Sequence, residues 1–488
     1  MRNGSRRSCD RCYRFKERCS FENDDEICSR CEQTKTTCTT LRARPRQGRR
    51  PRCKQLGLTG SVQVWEIGPS SNANVTAEED DLSAASLEEP RPVSSGAELL
   101  KLSLERGLLT LSSYWIQLSD MHEIRESSPH LVAKFYSKYH LFMLGPSFAP
   151  SFRKAVQQTY SNSPALLEGV YMAIFTAIQR PTHALYPAEE QPDFTQGAVS
   201  LQQLRTTNIG GVTDAVAILV LGQTLAAFDL LTKCVNSLLI LRYSLLSARP
   251  WYHDLSNHSS FEVFTITSIF WDTTCCLLRR ECPIIKFSPP HRPIVDRLAG
   301  LCNTLLPLLY DLSVAGHKLK HCGYSENEKV VMTINGIGQR ILSWTAIEPD
   351  DLTDSFSQEE VIGMKTQAAM YKSASLLLAH RLVNPIGTGD DVAKWHASGV
   401  MVEYLRYPEL AGENAQLRQV GFPILIAALE LLDLPDDIWQ SIPLLKAAPI
   451  CLAKLKALVE YVWMKRQQGY IGYLLDLVDQ GPDFVVIP

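Results

Sequence analysis

The chain has 488 residues, 45% of them hydrophobic, which is enough for two folded regions and a sizeable buried core. Its formal net charge of −3 is the sum of +9 in residues 1–54 and −12 in the remainder. Such a basic N-terminal segment is typical of proteins that bind nucleic acid. The longest apolar run, Ala215 to Leu221, ends at Gly222 and Gln223, which predicts a buried helix and no membrane partner.

Cysteines near the start of the chain occur in two copies of one spacing, C-x2-C-x6-C. A disulfide framework needs an oxidising compartment, but the first residues are charged and contain no apolar segment typical of a secretory signal. Iron–sulfur clusters usually take four cysteines at other spacings. Two C-x2-C pairs in an intracellular chain favour zinc. The candidate ligands are Cys9, Cys12, Cys19, Cys28, Cys31 and Cys38.

The number of ligands indicates how many ions they hold. The first histidine is His122, so no imidazole lies nearby, and a single four-cysteine site leaves two thiols unused. Two tetrahedral zinc ions need eight ligand positions, which six cysteines fill only if two sulfurs bridge both ions. The repeat makes Cys9 and Cys28 the equivalent bridging residues. One ion then takes Cys9, Cys12, Cys19 and Cys28, and the other takes Cys9, Cys28, Cys31 and Cys38. So short a segment has little core, so the metal must stabilise its fold.

This pattern resembles the fungal Zn2Cys6 binuclear-cluster transcription regulators, and the match covers all six ligands. Tyr13 stands where the family often has a basic residue, and Glu26 where it often has proline. The resemblance implies a small pseudo-two-fold module with two short helices that binds double-stranded DNA in the nucleus. It also implies regulation of RNA polymerase II genes, and many such regulators control secondary-metabolite clusters or development.

The two predicted helices of the module differ in charge. The first, Tyr13 to Arg18, has three cations and one anion, whereas the second, Glu32 to Thr37, has one of each. We therefore expect the first helix to enter the major groove. By resemblance, Lys16 occupies the position of the family's base-contacting lysine, which reads CGG-like triplets. Arg14 and Arg18 are predicted phosphate contacts; the alternative is a general positive potential without fixed partners.

Two further segments separate this module (residues 1–40) from the rest. Residues 41–54 form a predicted basic arm, because half of the positions from 41 to 52 are arginine and two prolines and a glycine discourage a helix. The arm follows DNA phosphates, enters a minor groove or serves as a nuclear localisation signal. Its arginines are Arg42, Arg44, Arg46, Arg49, Arg50 and Arg52. Residues 55–96 are rich in Ser, Asn, Ala, Glu and Pro and predict a flexible acidic linker. The linker is expected to be a solvated spacer, and an activation segment is the alternative.

Residues 97–488 are predicted to form a large all-α domain. Predicted helices include those beginning at Pro164 and running from Thr213 to Leu231, from Ser260 to Arg280, from Pro423 to Leu432 and from Pro449 to Gln467. Capping boxes are predicted at Ser325–Glu328 and Ser357–Glu360, the latter opening a helix through Leu382. The segments Phe270–Asp272, Leu277–Pro283 and Leu305–Leu312 resemble the regulatory middle domain of the same fungal family.

The large domain carries no sequence motif of the common catalytic or nucleotide-binding classes, so we expect no enzyme activity. Cys275 and Cys276 are predicted to be buried, inert thiols. Arg279 and Arg280 with Glu281 suggest either an anion site or a salt-bridged helix end, and the second is preferred.

The main prediction is a DNA-binding transcription factor that recruits transcription machinery or co-regulators, with monomer and homodimer both open. The alternative is a zinc-containing interaction scaffold or corepressor without sequence-specific DNA readout.

Overall fold

The structure is a computed structural model that describes residues 9, 12, 19, 27–39, 96–119, 139–178, 192–290, 292–322, 324–431 and 434–488. These residues belong to two units, Met1–Glu89 and Pro90–Pro488. The predicted first helix of the cysteine module, the basic arm and all of the predicted linker except Gly96 lie outside the described residues.

The first unit contains one described helix, α1, at Ser29–Gln33. It begins three residues before the predicted start at Glu32 and ends four residues before Thr37, so those predicted bounds were wrong. The reason is the N-cap: the Cys28 side chain accepts the N–H of Cys31, so the helix starts inside the C-x2-C pair. Lys35, with φ 48°, then reverses the chain after the helix.

The second unit is helical, and its described residues contain no strand; their only β-type pairing is an isolated bridge between Asp296 and Gly300. The α-helices of its first half are α2 Gly96–Ser119, α3 Ala149–Asn162, α4 Pro164–Ile178, α5 Phe194–Thr206, α6 Val212–Thr232, α7 Ser237–Ala248, α8 Tyr252–Ser256 and α9 Glu262–Arg279. Those of its second half are α10 Leu306–His321, α11 Tyr324–Ser343, α12 Leu352–Ser355, α13 Gln358–Val383, α14 Asp390–Ala411, α15 Gly421–Glu430, α16 Asp436–Ser441, α17 Pro443–Ala447, α18 Pro449–Gln467 and α19 Leu474–Gln480. Short 3₁₀ helices lie at Tyr139–Phe142, Pro146–Phe148, Arg249–Trp251, Ser259–Phe261 and Cys302–Thr304. The all-α prediction for this region is confirmed.

Two of the helix starts predicted from N-terminal proline or capping-box residues agree with the structure, and one does not. Helix α4 begins at Pro164 as predicted, and most of its apolar residues are buried. Ser357 and Glu360 form the predicted capping box of α13. The box at Ser325 was wrong, because α11 already begins at Tyr324 and an N-cap lies outside the helical turn.

The core of the unit is built around α6 and α9. The helical stretches Val212–Thr232 and Ser259–Arg279 are long and apolar enough to cross a membrane, but 100% and 83% of their apolar windows are buried within this unit. They are therefore packed as core helices. The predicted helix from Thr213 to Leu231 is confirmed, since α6 spans Val212–Thr232 and continues through Gly222 and Gln223, where the apolar run ends. Gln223 remains satisfied because its amide nitrogen donates to Ser268 Oγ on α9 at 2.6 Å.

A close approach of α6 and α7 explains Gly222. A Cβ atom at this position would lie 2.3 Å from the Cβ of Ser244 on α7, a distance that no pair of unbonded carbons can adopt. Glycine here therefore serves helix packing, despite its low helix propensity.

The last described segment, Phe484–Ile487, is buried without being helical. The indole N–H of Trp271 on α9 donates to the Val486 carbonyl at 2.9 Å, and the Cys451 thiol on α18 donates to the Val485 carbonyl at 3.6 Å. Side chains of α9 and α18 thus donate hydrogen bonds to two buried backbone carbonyls that have no helical N–H partner.

A buried ionic cluster joins the second half of the unit. Arg381 on α13 donates two hydrogen bonds, of 2.9 and 2.6 Å, to the carboxylate of Glu430 on α15. Arg381 also contacts Asp390 at 2.7 Å, and Arg466 on α18 contacts Glu430 at 3.0 Å. The side chains of Arg381 and Glu430 are both 0% exposed, so the pair depends on mutual compensation.

Candidate metal centre

The six repeat cysteines converge on one cluster, although they come from two chain segments. Their sulfur atoms form two groups of four, and within each group the sulfurs lie within 4.8 Å of one another. The groups contain the same residues as the two ligand sets predicted from the sequence, with Cys9 and Cys28 in both. Each group can therefore hold a metal ion.

Backbone hydrogen bonds to sulfur repeat in the two halves of the cluster. The N–H of Cys12 donates to Cys9 Sγ at 3.4 Å, and the N–H of Cys31 donates to Cys28 Sγ at 3.4 Å. The N–H groups of Cys9 and Cys28 each donate to the third sulfur of their own unit, at 3.2 and 3.4 Å. The sequence repeat thus becomes a repeat of local geometry, with the shared sulfurs accepting hydrogen bonds at equivalent places.

The distances between sulfurs are too long for disulfides. Cys9 and Cys28 are 3.7 Å apart, Cys9 and Cys31 3.6 Å, and Cys12 and Cys28 3.8 Å. A disulfide requires about 2.05 Å, so these cysteines are free thiols. Four sulfurs around one point form a soft donor set suited to Zn²⁺, Cu⁺ or an iron–sulfur centre.

The two shared sulfurs also differ electrostatically from the rest. Burial acts to raise every pKa in the cluster. At Cys28 the N–H of Cys31 and the neighbouring thiols outweigh burial and lower the pKa to about 6, and the pKa of Cys9 is lowered in the same way by Cys12. Burial and the thiols of Cys28 and Cys9 raise the pKa of Cys38 to about 12. Without a bound cation the other thiols therefore resist ionisation.

The predicted DNA-contacting residues cannot be placed against this cluster. They lie outside the described residues: Arg14, Lys16, Arg18, Arg42, Arg44, Arg46, Arg49, Arg50 and Arg52.

In the helical unit, the Arg279–Glu281 segment is a salt-bridged helix end. Arg280 ends α9 in a left-handed conformation, with φ 52°, and pairs with Asp476 at 2.7 Å and with Asp479. Arg279 lies 3.4 Å from Asp483. The segment borders a cavity of about 370 Å³, but both arginines already face carboxylates, which does not favour an anion site.

The two adjacent thiols of α9 are inert. Cys275 and Cys276 are 1% and 0% exposed. Burial raises the pKa of Cys275 to about 12, so the thiol carries no nucleophilic thiolate near neutral pH.

The buried Arg381–Glu430 pair was not anticipated. Its two partners are 49 positions apart in sequence and carry no spacing signal. The one available indication was a glutamate at the end of an otherwise wholly apolar helical segment, Gly421–Glu430.

Comparisons of the chain with protein-family models, with curated proteins and with solved structures found no match. The chain is therefore characterised by its own residues, as a protein with a six-thiol, metal-competent module and a large helical unit.

Proposed function

We propose that this protein is a zinc-dependent, sequence-specific DNA-binding transcription regulator of the fungal Zn2Cys6 class. The observation that carries the proposal is the pair of four-thiol groups that share Cys9 and Cys28. Two overlapping sets within six cysteines are what a binuclear cluster requires, and a mononuclear site leaves two thiols without a role.

The sulfur positions fit zinc. In a tetrahedral site with Zn–S bonds of about 2.3 Å, neighbouring sulfurs are roughly 3.8 Å apart. The separations of 3.6, 3.7 and 3.8 Å lie close to that value. Bound zinc supplies positive charge that keeps the thiolates ionised and links the two halves of the module. With two Zn²⁺ and six thiolates, the formal charge of residues 1–54 changes from +9 to about +7, which still favours DNA phosphates.

Lys16 is proposed to read the bases of a CGG-like triplet, because lysine can donate to guanine O6 and N7. Arg14 and Arg18 are proposed to contact phosphates. The arginines of residues 41–54 add affinity by extending along the duplex, and the same segment serves as a nuclear localisation signal. The Ser29–Gln33 helix, with few cations, takes no part in base recognition.

The helical unit is proposed to control output through co-regulators or the transcription machinery, with no catalytic role. The burial of Cys275 and Cys276 and the ion pairs of Arg279 and Arg280 support this assignment. Genes of secondary metabolism or development are the proposed targets, on resemblance alone.

The decisive experiment is selection from random duplex DNA with the full-length, zinc-loaded chain. We expect enrichment of sites that contain a CGG-like triplet, and no enrichment when a chelator has removed the metal. A zinc-loaded chain that enriches no motif contradicts the proposal and favours the interaction scaffold. The number and spacing of triplets in the selected sites also report whether one or two copies bind.

A further inference from the structure

Three helices end beside the cavity of about 370 Å³ that the Arg279–Glu281 segment borders. Helix α9 ends at Arg279, α10 at His321 and α19 at Gln480, and residues at or next to each of these ends line the cavity. The last carbonyl groups of a helix carry partial negative charge, because no backbone N–H pairs with them inside the helix. A cavity bordered by three such ends therefore favours a cation.

The charged side chains that line the cavity do not offset this potential, because their formal charges cancel. Lys320 lies 2.8 Å from Asp479, and the arginines also face carboxylates. The cations are Arg279, Arg280 and Lys320, and the carboxylates are Glu281, Asp479 and Asp483. The negative potential of the helix ends therefore remains available to a bound cation.

Two histidines of α10, His317 and His321, also line the cavity. They are four positions apart, so their side chains lie on the same side of the helix, one turn from each other. The centroids of their rings are 4.6 Å apart. Two imidazoles on one tetrahedral ion, with metal–nitrogen bonds of about 2.0–2.1 Å, have ring centroids roughly 5 Å apart. The spacing of the two rings is therefore close to what a shared metal ion requires.

A hydrogen bond orients the His317 ring. Its Nδ1 lies 3.0 Å from the backbone carbonyl oxygen of Arg280. A carbonyl oxygen only accepts, so Nδ1 donates, and in the neutral ring Nε2 has the free lone pair. Metal-binding histidines are usually oriented in this way, with the other ring nitrogen donating to a carbonyl or carboxylate. His321 has no hydrogen-bond partner among the described residues, so its ring nitrogens are available to a metal ion.

We propose that His317 and His321 form a second metal site, separate from the cysteine module, that binds a divalent ion of the Zn²⁺ class. Imidazole nitrogen is a good ligand for such ions. Among the described residues, groups of three or more close candidate ligands occur only in the cysteine module. Water therefore completes the coordination, and we expect weak binding that desalting reverses. This inference does not depend on the proposed function.

Isothermal titration calorimetry of the full-length chain, made without a polyhistidine tag, tests the proposal. The protein is first loaded with zinc at its cysteines and desalted, and Zn²⁺ is then titrated in. We expect one further ion per chain, bound more weakly than the zinc that survives desalting. His317→Gln and His321→Gln should each raise the dissociation constant of this further ion at least tenfold, because each removes one of the two protein ligands.

His253→Gln is the matched control, because His253 is an exposed histidine on α8 with no second histidine one turn away. It should leave the further ion unchanged, and thermal unfolding should show all three variants folded. A wild-type chain that takes up no further ion overturns the proposal. Uptake that persists in both the His317 and the His321 variants, or that the control also loses, overturns it as well. A chain that binds an ion through His317 and His321 but none through its cysteines supports this inference and contradicts only the function proposed above.

Discussion

Cys9 and Cys28 place their sulfurs 3.7 Å apart although nineteen positions separate them in the chain. Both belong to each four-thiol group, and both accept an N–H from the cysteine three positions later. The two residues are thus equivalent in sequence, in hydrogen bonding and in the groups they join. Removing either should therefore affect the whole cluster.

Replacement of Cys28 by alanine should abolish stoichiometric zinc binding, because it removes a ligand from both groups. Metal analysis of the purified chain should give two zinc ions for the wild type and none retained by the variant. Cys53→Ala is the control, since Cys53 lies outside the repeat, and it should keep both ions. A wild-type count of one zinc per chain contradicts the shared-sulfur arrangement.

Replacement of Lys16 by alanine should cost about 1–3 kcal/mol of DNA-binding free energy and relax base preference. Binding titrations against the selected site and against single-base variants of it measure both effects. Lys35→Asn also removes one positive charge, and asparagine tolerates the left-handed backbone at this position. It should leave base preference intact. Full affinity and preference in the Lys16 variant would show that another segment reads the bases.

Replacement of Arg381 by methionine should destabilise the helical unit by about 3–5 kcal/mol, because it leaves the Glu430 carboxylate buried with less compensation. Chemical denaturation of the full chain measures the loss. Lys365→Met is the matched control: Lys365 pairs with Glu348 at 2.8 Å, but the two side chains are 50% and 45% exposed. Its cost should not exceed about 1 kcal/mol. Equal costs for the two variants would mean that the buried pair contributes no more than a surface pair.

Glu360 should make stability pH-dependent. Burial alone raises its pKa, but the hydroxyl and N–H of Ser147 and the N–H of Ser357 outweigh burial and lower it below the ordinary 4.5. A carboxyl with a lowered folded-state pKa stabilises the fold above its unfolded pKa and loses that effect as pH falls through the folded pKa.

Glu360→Gln should therefore destabilise the chain by about 1–2 kcal/mol at neutral pH. The difference from the wild type should shrink below about pH 4.5 and vanish in stronger acid. Thermal unfolding of both proteins at several pH values measures it. A difference that stays constant with pH would show that the charge of Glu360 contributes nothing.

Local signals account for much of the fold. The Ser357–Glu360 cap, the start of α4 at Pro164 and the end of α9 before Pro283 follow rules that involve only neighbouring residues. The shared sulfurs follow from a repeat in the cysteine spacing. The Ser325 box failed because the same four-residue pattern also occurs inside helices. The early start of α1 was missed because its N-cap is Cys28. Cysteine is not among the residues, such as serine and aspartate, that usually signal a helix N-cap.

Features that depend on tertiary packing had no comparable signal. Glu430 meets Arg381 and Arg466 only after three helices have packed together. The exposure of Trp395 on α14 also had no sequence signal. Apolar residues at helical spacing do not show which face of the helix will be buried. Sequence periodicity identifies helices well, but the assignment of their faces needs the neighbouring elements.

The hydrogen bond from Trp271 to Val486 spans 215 positions. Of the described core residues, 484–487 are the last to be synthesised, so the Trp271 indole and the Cys451 thiol meet their backbone acceptors late. Contacts of such high sequence separation slow folding and prolong the exposure of apolar surface. Packing of the described helical unit is therefore complete only after this long-range contact has formed.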